Sequence, residues 1–237
     1  DGWNPYNGSL AGHQAWMWKR DAGFDVVSYK GNSSGSTSGD WQVIPHSLNA
    51  VPEMMWIKSR DMGSYWGVYH KGLNNGTNPW NYRLLLNDTH AESDGIGLGS
   101  YTTWYWNDTA PTATHFSVGE ISNTNENNVN FIGFLFASVD GISKVGWYDG
   151  SNSEQTITTG FQPRFVIIKC STHTEGWLVL DTTRGWGAGD DKGLFLNTAD
   201  AQGTDPYGAP TSTGFTVVGN WNVINQSGKK YIYYAHA

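Results

Sequence analysis

The chain says one thing twice. "PEMMWIKSRDMGSYWGVYHKG" (residues 52–72) returns as "PRFVIIKCSTHTEGWLVLDTTRG" (residues 163–185). Pro52, Lys58 and Trp66 recur at Pro163, Lys169 and Trp177, each 111 residues on. "LLLN" at Leu84 returns as "LFLN" at Leu194, and "IGFLFA" at Ile132 returns as "IYYAHA" at Ile232. "GFDVVSYKGN" at Gly23 matches "GISKVGWYDG" at Gly141, and "AWMW" at Ala15 aligns with "GFLF" at Gly133. The offset falls from 118 to 100 along the chain, so the first copy carries the longer loops. A period this long exceeds the ~20–50 residues of a solenoid unit. It suits a small β-sandwich of about 100 residues.

Periodicity says the repeat is built of strands. In "YWGVYHK", Trp66, Val68 and His70 alternate with Tyr65, Gly67 and Tyr69, and "WLVLDT" alternates likewise. "RFVIIKC" and "NFIGFLFA" are short continuous apolar runs, the pattern of strands buried on both faces in mid-sheet. Pro52 and Pro163 open their strands, where a missing N–H is tolerated. Thirty glycines and Asn/Ser/Thr-rich stretches such as "LNNGTNP" supply turns, and no amphipathic helix stands out. The expected fold is all-β: two tandem antiparallel β-sandwich modules, jelly-roll-like, related by internal duplication. Residues 1–22 read as an N-terminal arm with a first aromatic strand, 23–139 as module 1 and 140–237 as module 2. "FLFASVDGISKVG" passes between the modules without a linker, so the pair should be rigid. Lys58 and Lys169 should occupy equivalent positions.

The quoted blocks, together with "IPHSLNAVPEMMWIKSRD", "TGFQPRFVIIK" and "DTTRG", resemble a repeat module of marine bacteriophage and cyanophage virion proteins. The resemblance runs from about Trp16 onward. It implies a tail-fibre or tail-associated protein of the phage particle, located in the virion. Its partners would be other virion proteins and other copies of itself, with a homotrimer as the fibre-level analogy.

Composition narrows the chemistry. A formal charge of −7 argues against nucleic-acid binding and against anionic lipid. No run approaches the ~20 apolar residues of a membrane span. The lone cysteine, Cys170, excludes an intrachain disulfide and reads as a small buried apolar residue. His13, His46, His70, His90, His115, His173 and His236 show no metal-ligand spacing, and no cofactor is expected. His70 reads as a hydrogen-bonded structural histidine. Asp88, Glu92, Asp94, Asp108, Asp181, Asp190 and Asp191 fall in turn-like settings without an acid/base motif, and no nucleophile elbow or P-loop occurs. An enzyme is not expected. "DTTRGWGAGDDKG" (residues 181–193) reads as a solvated loop with local ion pairs.

The functional signal is aromatic. The first copy carries an insertion, "SYTTWYWNDTAPT", that the second lacks. Trp80, Tyr101, Trp104, Tyr105 and Trp106 offer rings for the C–H faces of sugars, and Asn81, Asn107 and Asp108 could reach the hydroxyls. The competing reading packs these rings in a core or against another subunit. Two functions follow: an adhesin touching host-surface glycan, or a purely structural element such as a fibre stalk, sheath or capsid-surface protein. The terminal segments "AWMW" and "IYYAHA" are expected to be edge strands that contact other subunits or pack into an adjoining module.

Overall fold

The computed structural model describes residues 15–35, 39–94, 105–187 and 189–237. Among these residues, seven strands lie in the first half: β1 (Phe24–Lys30), β2 (Gln42–Pro45), β3 (Met54–Ser59), β4 (Gly67–His70), β5 (Leu84–Leu85), β6 (His115–Val118) and β7 (Asn130–Phe136). Nine lie in the second: β8 (Ser143–Asp149), β9 (Gln155–Thr158), β10 (Phe165–Cys170), β11 (Trp177–Asp181), β12 (Asp191–Phe195), β13 (Gly203–Asp205), β14 (Pro210–Thr211), β15 (Gly214–Val217) and β16 (Lys230–His236). All strand pairs are antiparallel.

The two halves repeat one strand order. The first large sheet runs β1-β7-β3-β4-β5 and the second runs β8-β16-β10-β11-β12, with β13 added at its edge. A small sheet backs each: β2-β6 in the first half, and β9-β15-β14 in the second. Register repeats as well. Lys58 faces Ile132 as Lys169 faces Ile232, and Val68 faces Leu84 as Val179 faces Leu194. The two lysines are also bonded alike. Lys58 Nζ donates to the carbonyls of Ser59 and Met62, both at 2.7 Å. Lys169 Nζ donates to those of Cys170 (2.6 Å) and His173 (3.3 Å), again one and four residues on.

A buried asparagine closes each copy. Asn125 Oδ1 accepts from Asn32 N and Gln42 Nε2, and Asn225 Oδ1 accepts from Ser151 N and Gln155 Nε2. Both are fully buried, so these bonds satisfy an amide that would otherwise cost energy.

Strand parity divides the apolar residues into three cores. Along β3, Met55 and Ile57 face the small sheet of their own half, while Met54 and Trp56 face the other half. Along β10, Val166, Ile168 and Cys170 face inward, while Phe165 and Ile167 face the first half. The two large sheets therefore pack face to face on a shared core that includes Val68, Phe136, Trp177, Ile232 and Tyr234. The layers run small sheet, large sheet, large sheet, small sheet. Polar bonds cross the middle: Trp177 Nε1 donates to Leu85 O (2.8 Å), and His70 Nε2 bonds Tyr233 O (3.2 Å).

Two expectations about the termini are corrected. "IYYAHA" is not an edge strand: β16 is hydrogen-bonded to β10 on one side and β8 on the other. The residues 15–18 form no strand. Here both Trp16 and Trp18 pack on Phe165, and Trp18 also meets Phe24, Trp56, Phe136 and Tyr234, capping one end of the shared core.

Candidate functional site

The aromatic insertion is not a sugar-binding strand over its described part. Tyr105, Trp106, Asn107 and Asp108 form a turn, and Asn107 and Asp108 have left-handed φ values of 53° and 45°. Tyr105 and Trp106 are 2% and 1% exposed and belong to the first module's own core. Their polar atoms are used internally: Trp106 Nε1 donates to Tyr82 O (2.9 Å), and Asn123 Nδ2 donates to the Tyr105 hydroxyl (2.6 Å). Rings so enclosed have no face for a sugar. The pattern of alternation carried no information on which side was solvent. Trp80 is half-buried against the same core, and Asn81 beside it is half-buried. Asp108 is exposed and Asn107 half-buried, remote in role from any open ring. Tyr101 and Trp104 lie outside the described residues.

"DTTRGWGAGDDKG" has the local ion pair expected of it, but its acids are less solvated than a surface loop's. Asp181 and Arg184 form a buried pair at 2.5 Å. Asp191 is 1% exposed and accepts backbone N–H bonds from Gly187, Tyr207 and Gly208. Both carboxylates hold loops in place. Asp190 remains exposed. Among the described residues no group of His, Cys, Asp and Glu could hold a metal ion.

The open aromatic surface lies elsewhere, at the end of the shared core that residues 15–18 cross. On one side of this ridge is a cleft of about 520 Å³, lined by Trp16, Trp18, Phe24, Val26, Trp56 and Phe134. On the other is a cavity of about 290 Å³, lined by Trp16, Arg164, Phe165, Asp181, Thr183 and His236 among others. Parity explains the rings. Val26, Trp56 and Phe134 lie level across β1, β3 and β7, and Phe134 stacks on Phe24 and on Trp66 at 19° and 20°. Strand register makes Val145, Ile167 and Tyr234 their counterparts in the second half, one position off the sequence alignment of Gly23 with Gly141 in the case of Val145, and these are at most 2% exposed. The first sheet thus overhangs the second, leaving part of its inner face half-covered.

Two indole donors near this overhang are unsatisfied. Trp16 Nε1 and Trp56 Nε1 are buried without a hydrogen-bond partner among the described residues. A buried orphan donor costs about 1–3 kcal/mol, which an acceptor entering the cleft could recover. The sequence repeat held a clue to the site, since Trp56 matches Ile167 and marks where the copies diverge. It gave no sign that the overhang would leave that face open.

These features define an all-β protein of two sandwiches packed face to face, with an aromatic cleft where they part. The chain belongs to the DUF7483 family, a domain of unknown function, whose model matches residues 7–237. No curated protein and no solved structure matched it.

Proposed function

We propose that this chain is a structural protein of a bacteriophage particle, of the tail-fibre or tail-associated kind, that touches host-surface glycan through the cleft beside residues 15–18. The virion assignment rests on the block-by-block resemblance of the repeat. The glycan reading is carried by one observation: a half-covered aromatic face with two orphan indole donors at its edge. Sugar rings combine apolar C–H faces with hydroxyl acceptors, and that pairing is what such a surface lacks. A cleft of this volume lies within the ~300–1,000 Å³ range of ligand sites.

The test is titration of the chain with a panel of oligosaccharides, read by tryptophan fluorescence and by calorimetry. Saturable binding should fall about tenfold or more in Trp56→Phe, which keeps an aromatic ring and removes the N–H. Absence of binding across the panel, or binding indifferent to Trp56→Phe and Trp18→Ala, rejects the glycan reading.

A second reading, a purely structural component whose aromatics contact other subunits, draws on a different surface. Trp41 and Val43 beside and within β2 are 48% and 46% exposed. Their counterparts flanking and within β9 are Glu154 and Thr156. An apolar pair where the sister copy is polar suits burial against another chain. Locating the chain in an image of the assembled particle separates the two readings.

A further inference from the structure

We propose that the glycan recognised at this site is acidic, with a sugar carboxylate held by Arg164. The inference rests on the glycan reading above and specifies the chemistry of the ligand.

Arg164 is an exposed cation with no hydrogen bond or ion pair to its side chain among the described residues. Its only bonds are backbone ones, to His236 O and from Thr182 N. It lines the 290 Å³ cavity together with Trp16, whose ring also borders the aromatic cleft. The two openings share Trp16 as a wall, so a ligand that extends from the cleft across this ridge meets the guanidinium.

The repeat shows that a cation here is not a requirement of the fold. Arg164 stands one residue before β10's Phe165 as Glu53 stands before β3's Met54. In the first half that position is neutralised locally: Lys71 Nζ pairs with Glu53 at 2.5 Å, and Ser138 donates from its backbone N–H and hydroxyl. In the second half the counterpart of Lys71 is Thr182, and among the described residues no carboxylate pairs with the guanidinium. Among the described residues the cavity's one acidic side chain, Asp181, is already paired with Arg184. So the charge of Arg164 is left facing the cavity.

Guanidinium groups bind carboxylates through two parallel N–H···O bonds, a geometry a lysine cannot copy. Thr183, exposed at the rim, adds a hydroxyl, and Trp16 adds a ring. A single hexuronic acid ring offers the matching set: one carboxylate, several hydroxyls and an apolar face. A chain with net charge −7 repels polyanions at long range, so a local cation would decide whether an acidic sugar is accepted at all.

The experiment uses the full chain and trisaccharides of galacturonic and of glucuronic acid, each compared with its neutral methyl ester, by calorimetry. The acids should bind at least about tenfold tighter than their esters, and added salt should erode the difference. Arg164→Gln should bring the acids down to the level of the esters, and Arg164→Lys should restore only part of the gap. Arg164 is exposed, so unchanged thermal unfolding of the variants verifies the fold. If acid and ester bind equally, and Arg164→Gln changes neither, the acidic inference fails while the glycan reading survives. If neither form binds and the neutral oligosaccharide panel is also silent, both fail together.

Discussion

His70 should make this protein acid-sensitive well above the range in which carboxylates titrate. It is fully buried between the two large sheets. Gly72 N donates to its Nδ1 at 3.0 Å, so the other ring nitrogen must carry the hydrogen that meets Tyr233 O at 3.2 Å. The ring is the neutral Nε2–H tautomer. A second proton would have to sit on Nδ1, against an N–H, and burial pushes its pKa down to about 3. In the unfolded chain the imidazole titrates at ~6.5. Between those values the unfolded state holds a proton that the native state refuses, so stability falls as pH falls through 6.5. The slope is ~1.4 kcal/mol per pH unit, which makes a loss of about 2 kcal/mol at pH 5 relative to neutral pH. That is a sizeable share of a typical stability of ~5–15 kcal/mol. The assay is urea unfolding at pH 7.5 and at pH 5, for the natural chain and for His70→Gln, which can keep a donor near Tyr233. His46, whose pKa burial also lowers, contributes to both proteins and cancels in the comparison. The natural chain should lose about 2 kcal/mol more than the variant. Equal losses, or an NMR titration placing native His70 near 6.5, would refute the reasoning.

Three further outcomes follow from the repeat. Lys169 is fully buried with three carbonyl acceptors, Thr89, Cys170 and His173, whereas Lys58 is half-buried with two. Chemical unfolding should therefore show Lys169→Met costing about 3 kcal/mol and Lys58→Met about 1, because water can reach only the latter's acceptors; equal costs would contradict this. Burial also lowers the Lys169 amine to about 8, so the native state releases a proton that the unfolded amine keeps until ~10.4, and stability should rise with pH across that window, an increment absent in Lys169→Met. A Cβ at Gly31 would lie 2.0 Å from Glu126 O, and one at Gly150 would lie 2.0 Å from Gln226 O. Alanine at either glycine should cost ~1–3 kcal/mol or more in thermal unfolding, while Gly63→Ala, with nothing within 4 Å, should be near neutral.

Side-chain parity was legible in the sequence, and strand neighbours were not. The apolar run from Phe165 reads as a strand buried on both faces, and it is, whereas in the run from Phe131 one face, at Ile132 and Phe134, stays half-buried. The spacing of Lys58 and Lys169 carried their shared register. Period-two alternation, however, states only which residues share a face. It does not say what lies beyond that face or which strand lies beside it. Hence the C-terminal strand, read as an edge, proved central, because its neighbours β8 and β10 come from distant sequence. The rings at Tyr105 and Trp106 failed as a site for the same reason: the residues that enclose them, such as Tyr69 and Leu85, lie 20 or more positions away. The cleft was illegible because it depends on an offset between two sheets. Only a comparison of Val26, Trp56 and Phe134 with their enclosed counterparts reveals it.

The shared core has an arithmetic consequence. Each module has one face finished by its own small sheet and one face that needs covering, and in this chain the two needy faces satisfy each other. Such a unit has a valence of one. A third module appended by the same contact would find no free face, and a single module would expose its own half of the shared core, Trp56 and Phe136 or Ile167 and Tyr234, to water. A longer protein built from this repeat therefore grows by whole pairs, with an even number of modules, and any odd module left over must find its mate on another chain.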